Sequence, residues 1–575
     1  MFNKLGPANI DLNNCNSSYL SVGSILTASI LVCLPVLLYG VPSGNDLPQH
    51  YQFAQTVFDN LKSSDYYAGW TSSTNGGYGD VGLRFYPPLA YYVLAGFRGI
   101  AGNWGLASFI SLTFWFFVGG LGVYFLSREW FSENASLFGA LVYMIMPYHV
   151  NEIYNAFTYA EFAASSILPF CFLFVTRVVR GGRSADVILL AASYALLILT
   201  HLPVAVIASI ALLVYAVVSL EKTDRLRAIA RLGVSVVVGL CASSFYWLRM
   251  VTELDFVNHT ASQFTDSAYD FRSNFVLSFL YSSVNDESRS LWFCDLMLLA
   301  SALFLIPGSI IFLKKADSSL RRQLTPIFVI LILGIFMATP LSIPVWEHFA
   351  TLQRIQFPWR WLCLVSVGGA VISAAGVSSL TSISDHYRRP VLLIVAGLSI
   401  AAGTFTAAQI IRPARYIPQT EFSVLMSRIA TNESFECWMP VWANKKALAV
   451  REKVTDIDRQ AAIEAWRPTE RAVSFEAGNE QTARFATFWY PRWRAEVNGS
   501  PVEVSRDENG AILIPIPAEK AVVKLWFQET PAFYISCWAS GAAWIVILLV
   551  LGLGWLRRVH LRTKQPLFAH EEFSS

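Results

Sequence analysis

The sequence predicts an α-helical membrane protein that crosses the bilayer about twelve times and has one β-rich domain outside the membrane. Hydrophobic residues make up 54% of the 575 residues and charged residues only 14%, whereas soluble domains contain roughly 25% charged residues. Long apolar runs recur along the chain, and short β-type segments with turn signals are concentrated in residues 412–531. Lipid, rather than water, should therefore surround most of the chain.

The first apolar run, residues 20–39, has the length that a helix needs to cross ~30 Å of hydrocarbon. The stretch before it is mostly polar and does not resemble a cleavable signal, so we expect the run to remain as an anchor. Because unpaired backbone groups are costly in lipid, the later apolar runs should also be helices. They are residues 104–126, 135–150, 161–179, 186–200, 203–220, 232–250, 291–313, 324–340, 361–380, 390–411 and 532–556.

Lysine and arginine are distributed unequally between alternate loops, and this predicts the orientation. If the N-terminus is inside, the inner loops contain the lysines and arginines at 177–183, 222–231, 314–322 and 388–389. The C-terminal tail contains a further basic group at 557–564. The outer segments are longer in total but poorer in these residues. We therefore expect both termini to be cytoplasmic.

Three outer segments are too long to be simple turns: residues 41–103, 251–290 and 412–531. Within the first, residues 86–100 should form a short helix that lies at the membrane surface or dips into it. The third predicts a small β-sandwich, because its β-branched and aromatic segments are separated by turn sequences such as Asn498-Gly499. The predicted strands are residues 472–475, 482–488, 495–497, 502–504, 511–516 and 521–527.

The first outer segment contains a dense polar cluster just after the first apolar run. Asp46 and His50 lie there, and Pro48 between them can open a helix. Asp46 or Asn45 could then serve only as the helix cap. The functional alternative is that the Asp46 carboxylate, at the membrane surface, takes a proton from an acceptor group.

Further polar residues lie at the predicted outer membrane edge. Arg84 beside Tyr86 suits a phosphate headgroup, because guanidinium binds phosphate oxygens in a fork. Glu161 opens a predicted span and needs a cationic partner, since an unpaired charge is costly there. The other candidates at this edge are Glu152, Tyr159, Arg354 and Arg360. For each of these groups the alternative is interfacial anchoring.

Several classes of function lack support in the sequence. There is no phosphate-binding Walker loop and no GxGxxG between a strand and a helix. The net charge of +3 is too small to suggest nucleic acid as a partner, and no histidines have metal-ligand spacing. We find neither an internal repeat nor paired broken helices, which weakens the case for a transporter.

Three segments, in this order, resemble a family of bacterial membrane proteins labelled 6-pyruvoyl-tetrahydropterin synthase related. They are NDLPQH at 45–50, RFYPPL at 84–89 and QFPWR at 356–360. A fourth segment, FWYPRWRAEVNG at 488–499, is similar to a hairpin in the outer β domain of related bacterial membrane proteins. The early aspartate and the aromatic-Pro-Pro-Leu segment also resemble the GT-C superfamily of polyprenyl-phosphate-sugar glycosyltransferases. The pterin label evokes a histidine-bound zinc that has no counterpart among these histidines, so we expect no pterin chemistry.

The GT-C resemblance implies a helical domain over residues 1–411, an outer β domain over 412–531 and a final helix and tail over 532–575. It implies that Asp46 is the catalytic base, although its neighbours Asn45 and Leu47 replace the adjacent acidic pair of many members. A divalent metal ion is an optional cofactor. The substrate-binding residues would be His50, Arg84, Tyr86, Glu152, Tyr159, Glu161, Arg354 and Arg360.

The implied reaction moves a sugar from a polyprenyl phosphate to an envelope glycan, lipid or protein. The implied location is the bacterial inner membrane, where the partners are the donor, the acceptor and membrane lipids, with no nucleic acid. A second hypothesis is a non-catalytic GT-C relative that binds lipid-linked glycans or helps to assemble the envelope. A transporter is the third.

Overall fold

The computed structural model describes residues 15–63, 66–67, 69–221, 224–258, 269–277, 318–380, 385–429 and 436–563. The predicted span at 291–313 lies outside these residues. The first helices are α1 (Cys15–Tyr39), α2 (Leu47–Lys62), α3 (Gly82–Phe85), α4 (Leu89–Ala101), α5 (Trp104–Ser127), α6 (Glu133–Met144), α7 (Pro147–Asn151), α8 (Tyr159–Val179), α9 (Ser184–Ile198) and α10 (Leu202–Ser219). The later helices are α11 (Arg225–Ala242), α12 (Ser244–Thr252), α13 (Ser318–Ala338), α14 (Ile343–His348), α15 (Ala350–Gln353), α16 (Leu362–Leu380), α17 (Asp385–Ile411), α18 (Gln419–Ile429) and α19 (Pro531–Thr563).

The described residues contain seven helices that are long and apolar enough to span a membrane, or eight if α11 and α12 form one bent span. This establishes a helical membrane protein, while the count of about twelve spans stays a prediction. The seven are Ser18–Tyr39, Trp104–Ser127, Tyr159–Val179, Leu202–Ser219, Ser318–Ala338, Pro358–Ser379 and Pro531–Leu556.

The predicted run 135–150 is not one helix in the structure. It is divided into α6 and α7 at Ile145 and Met146. Met146 has an extended ψ of 131° because a proline, here Pro147, disfavours the helical conformation in the residue before it. After this break, the segment that follows α7 contacts the loop before α2, where the Asp46 N–H donates to the Ala156 carbonyl.

Helix α5 packs against α1, α4, α6 and α8 in the helical domain. Glycines make this approach close: a Cβ at Gly119 would come within 2.7 Å of the Tyr143 ring, and one at Gly122 within 2.9 Å of Pro169. Small residues commonly allow helices to pack closely in lipid, where the hydrophobic effect contributes little to their association. Helix α4 occupies the predicted surface segment 86–100 and packs on α5.

The chain also contains a β-rich region before α19, as the sequence predicts. Its strands form a four-stranded sheet in the order β3-β6-β10-β9 and a five-stranded sheet in the order β4-β5-β11-β7-β8. All pairings are antiparallel. The strands are β1 (Val41–Pro42), β2 (Tyr416–Ile417), β3 (Val454–Thr455), β4 (Ala461–Arg467), β5 (Glu470–Phe475), β6 (Gln481–Phe488), β7 (Trp493–Val497), β8 (Ser500–Val502), β9 (Ser505–Arg506), β10 (Ala511–Ile516) and β11 (Ala521–Phe527).

The β-rich region shares its hydrophobic core with the first outer segment. Trp70, Tyr78, Val81 and Phe85 belong to the same buried cluster as the inner faces of the two sheets. Residues 412–429 behave differently: α18 packs on α2 and α5, with the Phe422 ring 4.8 Å from that of Tyr51. The β-sandwich is therefore joined to the helical domain by shared packing as well as by the chain.

The hairpin between β7 and β8 has the turn that its sequence predicts. Asn498 has a φ of 51° and Gly499 a φ of 79°, as a type I′ turn requires at both central positions. The Asn498 side chain also accepts a 2.8 Å hydrogen bond from the Val522 backbone N–H, so it connects the turn to β11.

We expect Gly499→Val to destabilise the β-rich region by about 1–2 kcal/mol, because a β-branched residue is strained at positive φ. No atom lies within 4 Å of a Cβ built there, so strain rather than collision sets the cost. Denaturant unfolding of the purified full chain would measure it. Gly499→Asn is the matched control and should cost less, since asparagine tolerates this conformation. An equal loss of unfolding free energy in Gly499→Val and Gly499→Asn would contradict the strain argument.

The predicted orientation can be tested by labelling single cysteines with a membrane-impermeant thiol reagent. In a background without the eight native cysteines, cysteines at the exposed positions Gly76 and Glu508 should react from outside. A cysteine at Ser318, which is also exposed, should react only after the membrane is permeabilised. The reverse pattern would overturn the orientation and place the site on the other face.

Candidate functional site

The backbone after α1 is fixed before it reaches the candidate base. Strand β1 pairs with β2, and the Ser43 N–H donates a 2.7 Å hydrogen bond to the Arg415 carbonyl. Gly44 then packs so closely that a Cβ there would lie 2.4 Å from the Ala156 carbonyl. The Asp46 N–H also donates to the Ala156 oxygen, at 3.3 Å. This loop therefore docks directly on the segment before α8.

Asp46 occupies the N-cap position of α2, but its side chain makes no capping hydrogen bond. The capping interpretation is therefore wrong for Asp46. Among the described residues, no hydrogen bond or ion pair engages its carboxylate, while its backbone N–H donates to the Ala156 carbonyl and its backbone carbonyl accepts from the His50 N–H. A fixed position and a free carboxylate are what a proton acceptor for a substrate needs.

The surroundings of Asp46 adjust its acidity. Asp46 is exposed, yet protein excludes bulk water from most sides of the carboxyl. This burial raises the pKa of Asp46, the Arg360 guanidinium lowers it and Glu161 raises it, leaving the pKa at about 6. A base with a pKa near the working pH combines a large ionised fraction with a useful proton affinity.

Aromatic rings surround His50 one turn into α2. The His50 ring lies 6.2 Å from Tyr86, 5.8 Å from Tyr91 and 6.3 Å from Tyr159, and its Nδ1 is 2.7 Å from the Tyr91 hydroxyl. Burial lowers the pKa of His50 to about 3, so the imidazole is neutral. Beside Asp46, His50 can exchange hydrogen bonds with hydroxyl groups without adding charge.

Glu152 lies on a short π-helix, Glu152–Ala156, that ends at Phe157 in the left-handed conformation, with a φ of 57°. The Thr158 hydroxyl donates to its Oε2, whereas its buried Oε1 has no partner. Burial and then Glu161 raise the pKa of Glu152 well above its ordinary value. Such backbone irregularities are common at functional sites, and here the Glu152 carboxyl is influenced by the charges of Glu161, Arg360 and Asp46.

Glu161 has the arginine partner that its burial requires, which confirms that expectation. Its Oε2 accepts a 2.8 Å bond from Arg360 Nε, and its Oε1 a 2.9 Å bond from the Tyr148 hydroxyl. Arg360 Nη1 donates to the Ile355 carbonyl at 2.6 Å. No described residue accepts from Nη2. Arg360 is thus held at two nitrogens and open at the third.

The structure brings seven of the sequence-predicted residues into one cluster through ring contacts and charge interactions. These are Asp46, His50, Tyr86, Glu152, Tyr159, Glu161 and Arg360. Sequence reasoning missed four neighbours: Tyr91, Tyr148, Thr158 and His201. His201 is buried beside Arg360 and His50, and its place next to Pro203 at a helix start was the available signal.

Arg84 lies elsewhere, between the helical domain and the β-rich region. It is fully buried and donates to both oxygens of Glu253, with Nη2 at 2.8 Å, and to both of Glu529, at 2.6 and 2.7 Å. Tyr490 and Arg492 also donate to Glu253. Two carboxylates thus occupy the fork that the sequence suggested for a phosphate. Arg354, at the end of α15, is exposed.

We expect Glu253→Gln to lower the free energy of unfolding by about 3 kcal/mol or more, because it leaves buried arginines short of negative charge. Glu476→Gln, which removes an exposed partner of Lys520, is the control and should cost about 0–1 kcal/mol. Denaturant unfolding of both full-length variants would compare them. A similarly small loss of unfolding free energy in both variants would mean that the buried ion pairs stabilise the protein no more than a surface ion pair does.

Metal ligation has a limited set of donors here. Within the described ranges, no group of three or more His, Cys, Asp and Glu side chains could hold a metal ion. In the cluster, both oxygens of Glu161 and one of Glu152 are occupied. The Asp46 carboxylate and Glu152 Oε1 are the oxygens that remain.

Comparison with known proteins yields one family model, the 6-pyruvoyl-tetrahydropterin synthase related domain of membrane proteins, which matches residues 83–411. None of the curated proteins matches the sequence.

Several solved structures are similar to this chain. ArnT from Cupriavidus metallidurans bound to undecaprenyl phosphate has a TM-score of 0.45 and 16% identity, over 72% of this chain and 69% of ArnT. Arabinofuranosyltransferase AftD from Mycobacteria has a TM-score of 0.45 and 12% identity, over 69% of this chain and 27% of AftD. Archaeal oligosaccharyltransferase AglB from Archaeoglobus fulgidus, with an inhibitory peptide and a dolichol-phosphate, has a TM-score of 0.41 and 16% identity, over 71% of this chain and 58% of AglB.

Proposed function

Because the chain belongs to the 6-pyruvoyl-tetrahydropterin synthase related family of membrane proteins, and because its polar cluster lies at the ends of spanning helices, we propose that it is a membrane glycosyltransferase of the GT-C type. It would transfer a sugar from a polyprenyl-phosphate donor to an envelope glycan, lipid or protein at the outer face. The observation that supports this most is the Asp46 carboxylate, which has no hydrogen-bond partner in the described ranges and lies within the electrostatic influence of Arg360.

In the proposed reaction, Asp46 takes the proton from an acceptor hydroxyl. The acceptor oxygen forms a bond to the anomeric carbon of the donor sugar as the bond from that carbon to the phosphate oxygen breaks. The electron pair of the broken bond stays on the phosphate, which leaves as polyprenyl phosphate. Attack opposite the leaving group inverts the anomeric configuration.

Arg360 is the group suited to the departing phosphate. Its Nε and Nη1 are held by Glu161 and Ile355, so the guanidinium is fixed in place before substrate arrives. The open Nη2 can donate to a phosphate oxygen and stabilise the charge that develops there. Glu161, already bonded to Arg360 and Tyr148, would position that arginine rather than transfer protons.

The remaining cluster residues would bind the donor sugar and the acceptor. Neutral His50 with Tyr86 and Tyr159 offers ring faces and polar edges, and Glu152 Oε1 offers a further oxygen. A divalent cation would bind only if the substrate phosphate supplied further ligands, since Mg²⁺ commonly uses one or two carboxylates together with phosphates. Asp46 and Glu152 would hold it, and it would add positive charge near the donor phosphate.

The second candidate is a non-catalytic relative that binds lipid-linked glycans or supports envelope assembly. The observation that favours it is the sequence around Asp46, where Asn45 and Leu47 leave the aspartate without an adjacent acidic residue. Profiling lipid-linked saccharides in a deletion strain would identify the accumulating donor and supply the substrate for a reconstituted assay.

We expect Asp46→Asn to lower the transfer rate by about 10²–10⁴-fold, the usual contribution of a general base. The substitution keeps the side-chain size and removes the negative charge. Asn45→Ala, at the exposed neighbouring position, is the control and should retain most activity. A reconstituted assay, corrected for protein abundance in the membrane, would measure both. Full activity of Asp46→Asn would exclude Asp46 as the base, and Glu152 and Glu161 would be tested next.

The transfer rate should fall as the pH decreases through about 6. Asp46 accepts a proton only when ionised, and its pKa of about 6 means that the ionised fraction is large above that pH and small below it. The pH profile of kcat/KM in the reconstituted assay would measure this limb. A rate that is constant between pH 5 and 7, a range of about one unit on either side of the Asp46 pKa, would contradict the assignment.

A further inference from the structure

Arg471 is a completely buried arginine inside the β-sandwich, on the inner face of β5. Among the described residues, no carboxylate pairs with it. Its only hydrogen bonds there run from Nη1 to the carbonyl oxygens of Arg467, Pro468 and Glu470. Buried arginines are normally paired with an acid, because an uncompensated charge in a protein interior is costly.

The other side of the guanidinium has unused donors. Arg471 Nε and Nη2 are buried and have no acceptor in the part of the chain that the structure describes. The same holds for the indole Nε1 of Trp493, whose ring centroid lies 5.4 Å from the guanidinium carbon. Nε and Nη2 form the edge that binds a carboxylate with two parallel hydrogen bonds. Nearly all buried donors in proteins find an acceptor, and a carboxylate is an acceptor that would satisfy the two donors of this edge together.

The surroundings add positive potential and an aromatic surface. Trp466 packs on Arg471 with its ring centroid 4.8 Å away, and Lys453 Nζ lies 5.4 Å from the same ring. These rings attract the cation but accept none of its in-plane N–H groups. Trp466 is half-buried, so this side of the Arg471 environment borders solvent.

We propose that Arg471, Trp466 and Trp493 form a binding site in the β-sandwich for the carboxylate of an acidic sugar. The carboxylate would pair with Nε and Nη2 of Arg471, and the sugar ring would lie toward Trp466. The choice of a saccharide rests on the proposed function, in which an envelope glycan is one of the acceptors. The binding itself involves no residue of the Asp46 cluster, so it can be tested without transfer activity.

The experiment is calorimetric titration of the purified full chain with D-glucuronate, with D-glucose as the uncharged probe. Glucuronate should bind the wild type and glucose should not. Arg471→Met should abolish binding while raising the unfolding temperature in the absence of ligand, because it removes a buried unpaired charge at similar volume. Arg494→Met, at an exposed position on β7, is the control and should bind as the wild type does.

Arg471→Lys keeps the charge but loses the two-nitrogen edge. It should weaken glucuronate binding about tenfold or more, and it is the alternative test variant if Arg471→Met does not fold. Absence of glucuronate binding to the wild type, equal binding by Arg471→Met or Arg471→Lys, or equal binding of glucose would overturn the proposal. Loss of transfer in Asp46→Asn with no glucuronate binding to the wild type would overturn this site alone and leave the proposed function standing.

Discussion

The buried ion pairs of Arg84 are the interaction on which the arrangement of the two parts of the protein depends. They connect the first outer segment to Glu253 after α12 and to Glu529 before α19, while Tyr490 and Arg492 bring in the β-sandwich. These charges satisfy one another away from water, so none can move alone without leaving another unpaired. The β-sandwich is thereby held to the loop whose next residues enter the Asp46 cluster.

The Asp46 cluster uses buried charge in a different way. Glu161 and Arg360 form a satisfied pair and supply a rigid cationic group, whereas Asp46 is left unpaired. Pairing Asp46 as well would lower its pKa and its proton affinity. The cluster thus separates two tasks, positioning a positive charge and accepting a proton, between carboxylates with different surroundings. Proteins commonly place local strain at such sites. Here Phe157, which precedes Glu161 in the chain, and Gln356, which precedes Arg360, both have positive φ.

The sequence was a good guide to residues whose role depends on local context. It indicated Asp46, because a carboxylate directly after a spanning helix must lie at the membrane surface. It also indicated that Glu161 needs an arginine, because burial of a charge at a span end demands one. It assigned Arg84 to a phosphate headgroup because Arg84 lies near Tyr86 in the chain. In the structure, Arg84 binds carboxylates 169 and 445 residues further on. No local pattern can specify such partners.

By itself, the sequence determined the membrane class, most of the long helices, most of the strands before the last helix and the type I′ turn at Asn498, because each follows from hydropathy, periodicity or turn chemistry over a short stretch. It did not predict β3 or β4. Only the tertiary structure decided which polar residues meet, and that neither the Asp46 carboxylate nor the Arg471 guanidinium has a charged partner at hydrogen-bond distance among the described residues. Those properties depend on side chains from distant segments and on the exclusion of water between them, and burial becomes defined only when the segments pack together.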